Sequence, residues 1–364
     1  MSVVDPLTLQ VKLSTVDHQF NQMVPWSNME WIPSPTAVAS EGANFGQKPV
    51  GAGPFLLKSR IPNVDEVLVR NPTYWEQGYP KLDTLTIKII ADGTQAQNAF
   101  DTGQANATLE YSTQTAEQKG YRVSVLNLMG GTNWLFGTKG APFNDIRARE
   151  AVYDAIDMNE LNQDVFQGQS TIATSLFPKG TAFYNPNISF PPTDKAKAQS
   201  LFNELAAEGK PVKFTIIGTP GNQSWMVELQ TQLRAFKNVD VSVKALDGAT
   251  YGINLYTGDF QMAVYGVTGL DPEPEVEGFR SNWPLPIASM GSAKIDADLN
   301  QGIQATTQAG RQTAYNALQQ DLNAQYRFVW QNSGAFNAVE KKNVAGLQLY
   351  GQGSVLLDGF GYVG

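Results

Sequence analysis

Cysteine is absent from the 364 residues. That excludes a disulfide scaffold, a thiolate zinc site, a cysteine nucleophile and a CxxC redox pair together. Histidine is nearly as scarce, since His18 is the single imidazole. No HExxH helix, no histidine-rich metal site and no choice of triad histidine can be built from it, and it reads as a surface residue. Charged residues make up 16% of the chain, and 26 basic against 34 acidic residues leave a net charge of −8. Ordinary domains carry about 25% charged residues. Without Lys/Arg clusters for phosphate contacts, nucleic acid is not an expected partner. No apolar run reaches the roughly 18 residues of a membrane span. Met1 to Pro6 has neither the basic nor the apolar region of an export signal, and Asp5 and Pro6 interrupt it.

What is present suits a folded chain of two domains or a bilobal one, at about 150 residues per domain. The hydrophobic share is 42% and the aromatic share 10%. The period-2 run Leu7, Leu9, Val11, Leu13 predicts a half-buried strand, and residues 26–53, punctuated by Pro and Gly, read as loop. Strands are expected at 64–69, 82–90 and 121–128, with a short helix at 94–100. The middle alternates: helix over 145–166, then a helix capped by Thr193, with Ala198, Leu201, Phe202 and Leu205 inward and Gly209 at its end. A strand at 212–217, a helix capped by Asn222 and strands at 239–245 and 260–267 follow, which argues for an α/β lobe with parallel pairing. Helices at 294–306 and 310–325 precede the apolar Phe328-Val329-Trp330. The Gly-rich tail from Gly346 is expected at a sheet edge.

No GxSxG, GxxxxGK[ST] or GxGxxG occurs, and Gly51-Ala52-Gly53, followed by Pro54, reads as a turn rather than a phosphate cradle. Asp271, Glu273, Glu275 and Glu277 alternate with Pro272 and Pro274 over part of their run. Such carboxylates could serve glycoside hydrolysis or hold calcium, but a solvated, proline-stiffened loop is the plainer reading. Trp134, Phe136, Tyr265, Trp283 and Trp330 fall at predicted strand ends or between elements, where α/β proteins place ligands.

Several blocks then read together: PVGAGPFLLKS at 49–59, VLVRNPTYWEQGYPKLDTLTIKII at 67–90, APFNDIRAREAVYDAIDMNELNQDVFQGQ at 141–169 and TDKAKAQSLFNE at 193–204. DFQMAVYGVTGLDPEP at 259–274 and RQTAYNALQQDLNAQ at 311–325 continue the series. In this order they resemble the extracellular solute-binding proteins of family 5, the peptide- and nickel-type receptors of ABC importers. The resemblance implies an α/β, periplasmic-binding-protein-like fold of two lobes (class II type, cluster C), joined by two hinge crossings and closing around a solute. It places an accessory remnant at 1–48, a β-rich, incomplete lobe I at 49–134, lobe II at 135–331 and a return to lobe I at 332–364.

It also implies ligand contacts from Trp134, Phe136, Tyr265, Gly266, Asp271, Trp283, Trp330 and Asn332, with no cofactor, metal or catalytic residue. The implied partners are a small-molecule or oligopeptide solute and ABC permease subunits, with a monomer expected. The location is periplasmic or cell-surface, any membrane attachment being a lipid anchor. Two departures bear on the ligand. The aspartate that grips a peptide α-amino group in the family falls on Gly269, with Asp271 as a substitute if the loop is one residue shorter. The asparagine of the first crossing falls on Gly137. The chain also matches only from inside the accessory region, so weak binding by this chain alone is expected. The alternatives are a carbohydrate hydrolase using the 271–277 carboxylates and a surface peptide-holding adhesin or chaperone.

Overall fold

The computed structural model describes residues 1–24, 31–90, 92–109, 111–283, 291–350 and 354–363. It opens with a hairpin, β1 (Ser2–Asp5) and β2 (Thr8–Gln10), and a single helical turn, α1 (Phe20–Met23). The half-buried strand predicted from Leu7 to Leu13 is not seen. Every residue of both strands is exposed, and Leu7 is 97% exposed. Alternation prepares an apolar face, but burial needs an opposing layer, and among the described residues neither face of this hairpin meets one. The loop predicted at 26–53 is also corrected. Helix α2 (Pro35–Glu41) starts at Ser34, whose hydroxyl accepts from the Ala37 amide, and a 3-10 segment, Gly42–Gln47, follows it. Proline in the first turn begins a helix, because no intrahelical bond is required of its nitrogen. Residues 26–30 of that predicted loop lie outside the described residues.

Strands β3 (Phe55–Ile61), β4 (Asp65–Arg70) and β5 (Thr84–Lys88) form an antiparallel meander. The second and third match the predicted strands, and the first was not predicted. Next come α3 (Gly93–Asp101), capped by Asp92, then β6 (Ala107–Thr108) and α4 (Thr113–Gln118). The strand expected at 121–128 runs on as β7 (Arg122–Phe136).

The 145–166 segment resolves into two helices, α5 (Ile146–Ala155) and α6 (Met158–Phe166), capped by Asp145 and Asp157. Helix α7 (Lys195–Ala207) is capped by Asp194, one residue beyond the predicted Thr193, since its carboxylate accepts from the Ala196 and Lys197 amides. Strand β8 (Val212–Gly218) leads to α8 (Gln223–Leu233). Asn222 precedes α8 without capping it, its side chain accepting from Thr219 instead. The chain continues through β9 (Val239–Ala245), α9 (Gly248–Thr257), β10 (Met262–Gly269), α10 (Ala293–Gln304), α11 (Gln308–Ala324) and β11 (Phe328–Glu340). The tail does not join the large sheet. Its strands β12 (Val344–Ala345), β13 (Gln348–Tyr350), β14 (Ser354–Leu356) and β15 (Gly361–Tyr362) pair as β12 with β15 and β13 with β14.

The chain divides into two compact units. One holds Met1–Met23 and Leu128–Gly334, the other Val24–Asn127 and Ala335–Gly364. The sequence-based divisions after 134 and after 331 fall within β7 and β11, the same strands in which the chain passes between units. The large sheet has the order β6-β11-β7-β10-β8-β9. β8 pairs parallel with β9 and with β10, as the βαβ pattern predicts, whereas β10 runs antiparallel to β7. In the first unit two cores cover the two faces of this sheet. One gathers Trp134, Phe136, Val264, Phe202 and Leu229, and the other Leu135, Ala263, Val267, Phe328 and Trp330. Among the described residues no helix is long and apolar enough to cross a membrane.

Candidate functional site

Side chains alternate across a strand, so the register of β7, β10 and β11 decides which predicted residues meet. Trp134 lies opposite Val264 and Phe136 opposite Met262. Both aromatic rings are fully buried in the first core, with Phe136 tilted against Phe143 at 4.5 Å between centroids. They cannot share a ligand face with their neighbours in sequence. The other face carries Tyr265, paired directly with Asn133. The Phe136 amide donates to the Arg327 carbonyl at 3.2 Å. Counting inward from that bond along the two strands brings Trp330 beside Asn133. One row therefore reads Tyr265, Asn133, Trp330, with Asn332 two residues along β11 on the same face.

Asn133 is wholly buried, and neither its Oδ1 nor its Nδ2 has a protein partner. Oδ1 of Asn332 is likewise buried and unmatched. Each such group retains a desolvation penalty of about 1–3 kcal/mol, so polar atoms gathered in one row point to a polar group that joins them. Aromatic rings flank them. Trp330 stacks on Phe190 at 5.4 Å with 4° between planes. Burial pushes the Tyr265 phenol up to about 12, with the Glu275 charge adding to it. Gly266, next along β10, is exposed with open space where a side chain would stand. Trp283 is half-buried and packs against the same core.

The strands close tightly here because of glycine. A Cβ at Gly130 would lie 1.9 Å from the Val267 carbonyl oxygen, and one at Gly131 would lie 1.8 Å from that of Asn332. Both departures noted in the sequence are likewise imposed by the backbone. A Cβ at Gly137 would sit 2.0 Å from the Phe260 carbonyl oxygen, and one at Gly269 would sit 2.8 Å from the Asp271 carbonyl oxygen. An asparagine or aspartate there has no room.

The acidic segment is not a solvated loop. Glu273 is 1% exposed, and both it and Asp271 accept from Nη2 of Arg311, at 2.7 Å for Glu273. Nη1 gives Asp271 a second bond at 2.9 Å, and the Tyr315 hydroxyl donates to Glu273. Glu277 pairs with Arg280. Asp271 is therefore committed to Arg311 and does not replace the amino-gripping aspartate. For the hydrolase alternative, the two innermost carboxylates already have guanidinium and phenol partners. The Arg311–Tyr315 spacing of four marked one helix face in the sequence, but the acidic partner 40 residues away had no local signal. Asn133 had a weak one, as a carboxamide inside an apolar run.

A cavity of about 370 Å³ lies among His18, Gln19, Asn21, Gln22, the 305–308 link and Arg311, and none of the row lines it. His18 is exposed, as expected, and its amide donates to the Ile303 carbonyl.

Comparison with known proteins accords with the fold. The sequence model for bacterial extracellular solute-binding proteins, family 5 Middle, matches residues 1–282. Heme-binding protein A of Haemophilus influenzae is 25% identical over 348 residues, covering 87% of this chain and 61% of that protein. The glutathione-binding protein GsiB of Salmonella paratyphi A is 30% identical over 207 residues, 56% of this chain and 40% of its own length. The chain thus spans about three-fifths or less of these two relatives. Among solved structures, the dipeptide binding protein of Pseudoalteromonas sp. SM9913 in complex with Met-Leu superposes with a TM-score of 0.74 at 21% identity, covering 91% of this chain and 69% of that one. A family match over residues 1–282 of 364, with the periplasmic-binding-protein fold in place, means that this chain belongs to the bacterial extracellular solute-binding proteins, family 5.

Proposed function

We propose that this chain is the solute-binding part of an extracytoplasmic receptor that delivers a small solute to an ABC permease, acting as a monomer in the periplasm or at the cell surface. The observation that carries the reading is the row Tyr265, Asn133, Trp330, in which a buried carboxamide with both ends unmatched lies between two aromatic rings. Asn332 and Trp283 extend the ligand face, while Trp134 and Phe136 support it from behind and Gly266, next to Tyr265 in β10, belongs to the opposite face of the sheet. With no side chain at Gly269 and Asp271 held by Arg311, the reading favours a solute gripped through polar hydrogen bonds and ring stacking rather than through its ammonium group.

The test is a thermal-shift series on the full chain with Met-Leu, glutathione and heme as probes, followed by titration of any that acts. One probe is expected to raise the midpoint with concentration, the gain being about 2.7 kcal/mol at a hundredfold excess over Kd. Asn133→Leu is expected to keep the fold and weaken that probe at least about tenfold, the loss of one good hydrogen bond. Unchanged midpoints with all three probes, or an Asn133→Leu protein that binds like the parent, would defeat the reading.

A further inference from the structure

Two pairs of carboxyl groups gather along helix α11, apart from the row Tyr265, Asn133, Trp330. Near its start, Asp271 and Glu273 converge on one nitrogen of Arg311, with side chains 13% and 1% exposed. Tyr315, one turn on, donates to Glu273. Arg280 closes the same segment, but its guanidinium is held by Glu277 and Asn300. Near the far end of α11, Asp321 is the acidic neighbour of Asp298 on the packed helix α10. These residues are 7% and 5% exposed, and the Oδ2 atom of each is buried without a donor. Lys294, on α10, takes the other oxygen of Asp321 with an ammonium that is largely in solvent. Asp296, also on α10, accepts from Ser281.

Two ionised carboxylates in contact and out of water repel each other, whereas one proton between them makes a hydrogen bond. We infer that each pair is a proton-binding site of the folded chain, and that proton uptake there fastens the 271–280 segment and α10 onto α11. Burial, joined by Asp271 and opposed by Tyr315 and Arg311, raises the Glu273 carboxyl to about 7. Burial, joined by Asp321 and opposed by Lys294, raises Asp298 to about 6. Both folded values lie above the ordinary 4.5 and 3.8. The stabilisation is therefore complete below about pH 4 and is lost as pH rises through 6 to 7. A metal site at either pair would behave oppositely, gaining as the carboxylates ionise.

Thermal unfolding of the full chain between pH 5 and pH 8 tests this. The parent midpoint is expected to fall with rising pH by about 2 °C or more per pair in a chain of this size. Asp154 of α5, buried beside Lys197 and Glu150, is raised in the same direction, so the variants make the assignment. Glu273→Gln and Asp298→Asn should each remove part of the slope without lowering the pH 8 midpoint, and together they should remove most of it. A double variant that keeps the parental slope overturns the inference. So does a pH 8 midpoint raised by millimolar calcium or magnesium in the parent and not in the double variant. Should the double variant not fold, infrared difference spectra of the parent decide: a protonated-carboxyl band disappearing between pH 5 and 8 supports the two sites, and its absence rejects them.

Discussion

At the scale of single residues, what matters is which atoms fit and which remain unmatched. Gly137 and Gly269 are glycine because carbonyl oxygens occupy the space a Cβ would need. Gly137→Asn is therefore expected to lower stability by about 1–3 kcal/mol, as overpacking does, seen as a lower urea midpoint. Gly266→Ala, with open space around it, should leave the midpoint unchanged. Equal midpoints for Gly137→Asn and the parent would refute the steric account. Both glycines were visible in the sequence as departures, but the cause at Gly137 was not, because the opposing carbonyl of Phe260 lies more than a hundred residues away. Similarly, Asp271 and Glu273 were noticed as acidic residues, while their buried state depended on Arg311, 38 to 40 residues on.

At the scale of elements, local chemistry was readily legible. The helical periods of α5, α7 and α11 and the short apolar strands β8, β9 and β10 follow directly from spacing. Errors were of two kinds. Adjacent Thr193 and Asp194 are both good caps, and only backbone geometry selects Asp194. Accordingly, Asp194→Ala should lose about 0.5–2 kcal/mol of stability while Thr193→Ala loses little, and the reverse order in urea titrations would reinstate the predicted cap. The N-terminal hairpin is the other kind, a pattern without a partner layer. Its strands bury nothing, so protease trimming of residues 1–12 should leave the thermal midpoint of the product unchanged. The later Gln19, held by its side chain on the Ala305 carbonyl at 3.0 Å, should resist such trimming.

For the whole molecule, pH brings opposing groups together. Asp101 is held below the ordinary carboxylate range by Lys119, and Asp145 by Arg147. Glu208 is brought down to about 2 by Arg147. Depressed values of this kind contribute stability above the ordinary carboxylate range and lose it as pH falls through the folded values. Being largely exposed, these pairs are modest and salt-sensitive. Glu273 and Asp298 act in the other direction, losing stability from about pH 4 upward until pH has passed 6 to 7. A stability maximum near about pH 4 to 5 is expected, with the acid limb shrinking in 1 M salt and the alkaline limb persisting. A maximum above pH 7 would contradict this balance.

Sequence by itself determined the excluded chemistries, the βαβ alternation and the family, since each depends on composition or on spacings within about thirty residues. Tertiary structure alone decided which side of the sheet each aromatic faces. A strand turns successive side chains to opposite faces, so Trp134 entered one core while Asn133 joined Tyr265 and Trp330 on the other. It also decided that Glu273 of the acidic run is buried, because a carboxylate leaves water only where distant groups such as Arg311 and Tyr315 meet it. Those partners are set by packing between elements far apart in the chain, and no local pattern records them.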